Sequence, residues 1–103
     1  MSQFHTVCSV GELPEGEARM FVVDETLIAV FHINGEFFAL DDQCSHAGAS
    51  LARGFVDGDV VTCRIHHWRF RIQDGAYLDE AKPCFNVKTY SVRVVCERVQ
   101  VKV

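Results

Sequence analysis

Two short stretches carry the residues best suited to chemistry: Cys44-Ser45-His46 and, after sixteen intervening residues, Cys63-Arg64-Ile65-His66. Thiolate and imidazole are the side chains that soft and borderline metals choose. A Cys and a His one or two residues apart can reach one metal centre from one loop, and the second pair must fold back to meet the first. Two inorganic centres suit such a set. One is a tetrahedral zinc holding all four side chains. The other is a two-iron, two-sulfide cluster with two Cys on one iron and two His on the other. Zinc sites commonly pair like with like, a Cys knuckle followed by a His pair. Here each loop mixes one Cys with one His, which suits a dinuclear centre because each loop then gives one ligand to each iron. Mixed pairing does not exclude zinc.

The flanking residues extend the pattern. Ala47-Gly48 follows His46, and small residues there let the backbone come close to a bound group. Trp68-x-Phe70, Asp74-Gly75 and Pro83 follow His66. With these, the sequence resembles Rieske iron-sulfur proteins, and soluble Rieske ferredoxins in particular, over about residues 4 to 103. The resemblance implies a [2Fe-2S] cluster held by Cys44, His46, Cys63 and His66, with the segment at Pro83 as a third loop over it. Some Rieske proteins carry an extra Cys on each loop and join the two as a disulfide. Ala49 and Ile65 stand at those positions, so that brace cannot form. The hydroxyl donors of that type are also missing, which predicts a reduction potential near the low end of the Rieske range, on the order of −150 mV. His67 stands where most soluble members have Gly; it is a second donor beside His66, expected to be an exposed neighbour.

The elements that must position these loops read as short strands and turns. Phe4 to Val10 opens a sheet. Arg19 to Val23 and Leu27 to Ile33 read as a strand pair around Asp24-Glu25-Thr26, and Asn34-Gly35 is a type I′ hairpin signal leading to Glu36 to Leu40. Asp57-Gly58-Asp59 is a turn before Val60-Val61-Thr62. Trp68 to Ile72 reads as a strand, turned by Asp74-Gly75 into Ala76-Tyr77-Leu78. Tyr90, Val92 and Val94, and then Val99, Val101 and Val103, alternate with polar residues, which predicts two strands with one buried face each and a hairpin near Glu97-Arg98. Glu12 and Ser50 are candidate starts of single helical turns, and no long helix is expected. The fold class expected is all-β: a small antiparallel sandwich or barrel of the Rieske type with an inserted cluster-binding lobe. The resemblance implies one domain over 1–103, with a base sheet of about 1–40 and 85–103 and a lobe of about 41–84.

At 103 residues and 49% apolar composition the chain suits one small domain. A formal net charge of −4 with no basic run argues against nucleic acid and suits docking to a positive patch on a protein. No apolar stretch reaches membrane-span length, and the start Met1-Ser2-Gln3-Phe4-His5 lacks a signal-peptide pattern. Five Cys is an odd count. Cys8, Cys84 and Cys96 are expected to stay reduced, in cytoplasm, with Cys8 and Cys96 as small core residues in strands and Cys84 in a packing role. His5 and His32 read as ordinary strand or surface residues, Trp68 and Phe70 as core or shield, and Asp41, Asp42, Asp57 and Asp59 as solvated loop carboxylates. No catalytic apparatus is visible, so the expected function is one-electron transfer and not enzymatic turnover. By resemblance, a flavin-dependent NAD(P)H reductase would supply the electron and a terminal oxygenase would take it. The alternatives are the small subunit of an assimilatory nitrite reductase, partnered by its large subunit, and a structural zinc domain.

Overall fold

The computed structural model describes residues 3–44, 48–65 and 67–103. Nine strands run in order: β1 Phe4–Ser9, β2 Ala18–Val23, β3 Thr26–Ile33, β4 Glu36–Asp41, β5 Phe55–Asp57, β6 Val60–Thr62, β7 Arg69–Arg71, β8 Thr89–Val95 and β9 Arg98–Lys102. Three single 3-10 turns, Val10–Glu12, Leu51–Arg53 and Pro83–Phe85, are the only helical segments among the described residues. Every strand pairing is antiparallel. Six strands form one sheet in the order β1-β9-β8-β4-β3-β2, and β5-β6-β7 form a second. The six-stranded sheet curls until its edge strands β1 and β2 approach, where His5 Nε2 lies 3.3 Å from Asp24 Oδ2.

Tight turns set the registers of the larger sheet. Asp24-Glu25, Asn34-Gly35 and Cys96-Glu97 each connect directly paired residues, and both members of each have positive φ. That is the type I′ geometry, whose twist matches that of the flanking strands. Strand β4 then pairs with β8 at Ala39↔Tyr90 and Leu40↔Thr89. The chain therefore leaves the curled sheet after Asp41 and re-enters beside its exit point at Thr89. Everything between, including β5 to β7, is an insertion hung from that gap.

Strand β3 explains how one sheet serves two cores. Its run Ile28-Ala29-Val30-Phe31 is buried on both faces, as a continuous apolar strand should be. Ile28 and Val30 point into the curl with Leu13, Ala39, Val99 and Val101. Ala29, Phe31 and Ile33 face the other way and pack with Leu51, Val61, Phe70 and Ile72 of the insertion. Successive side chains on a strand point to opposite faces, so a single strand forms the wall between the two cores.

Several expectations need correction. The last hairpin turns at Cys96-Glu97, one residue before the expected place, so Cys96 is exposed in a left-handed turn and is not a core residue. Cys8 is buried as expected, and burial pushes its thiol pKa up. Val94 is 49% exposed, so the alternation of β8 buries less than its pattern suggests. Glu12 ends its 3-10 turn, its carboxylate accepting the N–H and hydroxyl of Ser9. Trp68 and Ile72 fall outside β7, and Tyr77 makes only an isolated bridge to Phe70. Strand β5 was not foreseen: it is three residues long, Phe55 at its start is 54% exposed, and Val56 alone packs on the core, too little for a readable alternation.

Candidate metal centre

The two Cys-bearing loops share one backbone design. In the first, the Cys44 N–H donates to Ala49 O at 2.8 Å and the Gly48 N–H donates to Cys44 O at 2.9 Å. In the second, the Cys63 N–H donates to Trp68 O at 2.8 Å and the His67 N–H donates to Cys63 O at 3.1 Å. Each Cys therefore bonds to the fifth residue after it and is bonded by the fourth. That fourth residue is left-handed in both, with φ 68° at Gly48 and 58° at His67. This accounts for Gly48: a Cβ there would meet no atom within 4 Å among the described residues beyond its chain neighbours, and with φ at 68° the demand read from them is conformational. The exposed His67 occupies the same conformation without glycine's freedom.

The loops meet at their cysteines. Cys44 is 3% exposed and Cys63 1%, both in the core shared with Phe31, Leu40, Leu51 and Phe70. The thiols interact directly and are not joined as a disulfide. Burial pushes the Cys63 thiol pKa up; the Ile65 N–H, donating to it, pulls the other way, and neighbouring Cys44 raises it further. Two buried, unbridged thiols side by side, brought from two separate loops, have the chemistry of a donor pair for one ion. That fits two thiolates on a single iron of a two-iron cluster, and the Ile65 N–H fits a donor to the metal-bound sulfur. His46 and His66 lie outside the described residues.

The scaffolding behind the loops uses residues that carried no motif. Asp42, expected as a solvated carboxylate, is 3% exposed; its Oδ1 accepts bonds from Ser50 Oγ and the Ala52 N–H, both at 2.9 Å. It thereby fixes both ends of the first loop. Its one sequence signal was a carboxylate two residues before Cys44 with a hydroxyl eight residues on. Asn86 Oδ1 accepts the Tyr77 N–H at 2.9 Å, tying the Pro83–Phe85 segment to the lobe. Phe85 stands edge-on to Trp68 and Tyr77, with ring centroids 5.1 and 5.7 Å away. Phe70 is fully buried core, whereas Trp68 is half-buried beside Tyr77. Cys84 is exposed, so the packing role expected of it is not observed. Asp57 and Asp59 are exposed as expected, and Asp41 is half-buried with its carboxyl pKa pushed up by burial. His32 lies away from the metal loops: Nδ1 is 2.7 Å from Leu13 O, and the ring stacks on Phe37.

A buried thiol pair on matched loops, set in an all-β frame, suits an iron-sulfur protein of the Rieske type. The family profile described as "Rieske [2Fe-2S] domain" matches residues 3–91, and the chain belongs to that family. It is 41% identical over 92 residues to the biphenyl dioxygenase ferredoxin subunit of Pseudomonas sp. strain KKS102, covering 88% of this chain and 84% of that one. Among solved structures it is similar to a chain from the complex of reduced oxygenase and oxidized ferredoxin in carbazole 1,9a-dioxygenase. The TM-score there is 0.86 at 28% identity, over 95% of this chain and 91% of the other. It is also similar to a chain assigned as an NADH-dependent nitrite reductase small subunit from Mycobacterium tuberculosis, with TM-score 0.89 and 26% identity over 100% and 96%. Family membership decides between the two metals: the resident group is a Rieske [2Fe-2S] cluster, and the chain is an electron carrier, not an enzyme. No helix among the described residues is long and apolar enough to cross a membrane.

Proposed function

We propose that this chain is the ferredoxin of an oxygenase system. It takes one electron from a flavin-dependent NAD(P)H reductase and passes it to a terminal oxygenase. Cys44 and Cys63 hold one iron of the cluster, and His46 and His66 hold the other. The cluster supplies reversible one-electron chemistry when bound. The chain's own residues do the rest. Asp42 and the paired loop hydrogen bonds hold the two thiols in place, and the aromatic group of Trp68, Tyr77 and Phe85 keeps water from one side. We read the whole of 1–103 as one domain, with the insertion between β4 and β8 as the cluster-binding lobe. A cytoplasmic location is supported by Cys8, Cys84 and Cys96, free cysteines outside the ligand set.

The observation that carries the reading is the buried, unbridged Cys44–Cys63 pair on matched loops, taken with relatives that are oxygenase ferredoxin subunits. The test is reconstitution. The purified protein, with the reductase and oxygenase components of the strain KKS102 biphenyl dioxygenase, should support NADH-dependent oxidation of biphenyl. Electron spin resonance of the dithionite-reduced protein should show a Rieske cluster. A colourless protein containing zinc, or a reduced cluster that never reoxidises on adding oxygenase, overturns it. The nitrite reductase fold match supports the second reading, in which the acceptor is a nitrite reductase large subunit. Nitrite-dependent reoxidation with that subunit, and none with oxygenase, would select it.

A further inference from the structure

The chain's net charge of −4 predicts that it docks through negative charge. The surface beside the metal loops has the opposite character. An open groove of ≈ 670 Å³ lies between them, lined by Met20, Gly48, Ala49, Arg53, Arg64 and Ile65. Among the described residues that line it, the exposed charges are Arg53 and Arg64. The one carboxylate among them, Asp42, is buried and bonded to Ser50 and Ala52; the other described lining residues are uncharged. Ile65, on the Cys63 loop, is 51% exposed, and Met20 is 41% exposed. The Arg64 guanidinium lies over the exposed Phe55 ring at 5.0 Å, which holds the charge beside the apolar patch. Exposed Ile, Met and Phe bordered by arginines match the composition of a protein interface, with an apolar centre and a charged rim.

We propose that this groove is the docking face for the terminal oxygenase, and that the oxygenase meets it with carboxylates around an apolar patch. The proposal rests on the oxygenase-ferredoxin reading above and adds the polarity of the contact. Local charge within about one Debye length, roughly 10 Å at 0.1 M salt, steers a partner more than distant charge does. A carboxylate-bearing partner is therefore drawn to the loops although the whole chain is acidic.

Two measurements test it. First, the dithionite-reduced protein is oxidised in a stopped-flow instrument by hexacyanoferrate(III) or by hexaammineruthenium(III) at rising salt. The rate with the anion should fall with salt, and Arg53→Glu/Arg64→Glu should reverse that slope. An anionic oxidant whose rate rises with salt in the unaltered protein overturns the proposal. Second, the same protein is used as donor to the strain KKS102 oxygenase component, with dithionite replacing any reductase. Arg53→Glu/Arg64→Glu and Met20→Asp should each raise the KM for the ferredoxin at least tenfold with kcat unchanged, and Arg53→Lys/Arg64→Lys should restore it. A KM unmoved by both charge reversal and Met20→Asp overturns the docking face while leaving the ferredoxin reading intact. Failure of the unaltered protein to reduce oxygenase at all overturns the ferredoxin reading itself.

Discussion

In the curled sheet, strands of five to eight residues form three hairpins, β2–β3, β3–β4 and β8–β9, each closed by a two-residue turn, while β1–β9 and β4–β8 pair across long stretches of chain. In the inserted lobe the strands are three residues long. There the loops carry the structure: two Cys loops closed by backbone bonds, a buried Asp42, an Asn86 bridge and an Arg69–Asp79 pair at 2.8 Å. Strands this short give little on their own. The difference teaches that the hairpins of the sheet are specified locally, by turn chemistry and a period of two. The lobe depends on a few long-range contacts and on the group its cysteines share.

Removing that shared group is the largest disturbance to the comparison. With Cys63→Ser the protein should lose its visible absorption. Hydrogen exchange at the Val61 and Phe70 amides should then quicken on the order of a hundredfold, while Val30 and Ala39 stay protected. Equal loss in both regions would mean that the two cores unfold as one unit. Gly75 offers a second break within the lobe. It has φ 72°, and a Cβ there would overlap the Val87 carbonyl oxygen. Backbone cannot give way as a flexible side-chain end can, so Gly75→Ala should cost about 2–3 kcal/mol. A chemical melt that shows less than about 1 kcal/mol would mean that this crossing is looser than its geometry suggests.

What the sequence made legible follows the same division. The Asn34-Gly35 turn, the double apolar face of β3 and the alternation of β9 are local signals and were readable. The family was readable from the Cys/His spacing because metal ligation restricts residue type more tightly than packing does, and of that motif the fold brings Cys44 and Cys63 together. Asp42 and Asn86 were not, since a side chain that caps a distant backbone N–H leaves no periodic trace. The Cys96-Glu97 turn was misplaced by one residue because neither side chain favours the left-handed conformation it adopts. The Arg53–Arg64–Ile65 face was hidden for another reason: net charge averages over the surface, and its polarity exists only once both loops are folded side by side.

Those left-handed residues give a matched pair of smaller tests, one in each region. Glu97 has φ 63° and His67 φ 58°. Left-handed backbone costs an L-residue roughly 1–2 kcal/mol, which glycine avoids. Glu97→Gly and His67→Gly should each stabilise the holoprotein by about 1 kcal/mol, read as a raised thermal midpoint. A gain at Glu97 with none at His67 would show that the cluster loop is held in place whatever residue stands there, which sharpens the contrast between self-specified sheet and cluster-specified lobe.

The smallest effect belongs to Glu15, whose carboxylate takes the Gly35 and Asn34 N–H groups of the β3–β4 turn, both at 2.7 Å. These bonds, the Gly35 one first, hold its pKa below the ordinary glutamate value, with a lesser contribution from His32. A carboxyl with a lowered folded pKa contributes stability that is complete above its unfolded value, about 4.3, and lost as pH falls through the folded one. The urea midpoint should therefore drop between about pH 5 and about pH 3 by more in the unaltered protein than in Glu15→Gln, which keeps an acceptor but no charge. Because the group is on the surface, the difference should be modest and should shrink in high salt. If the two proteins lose stability in parallel over that range, the turn holds itself through Asn34-Gly35 alone, and this side-chain clamp on the curled sheet is dispensable.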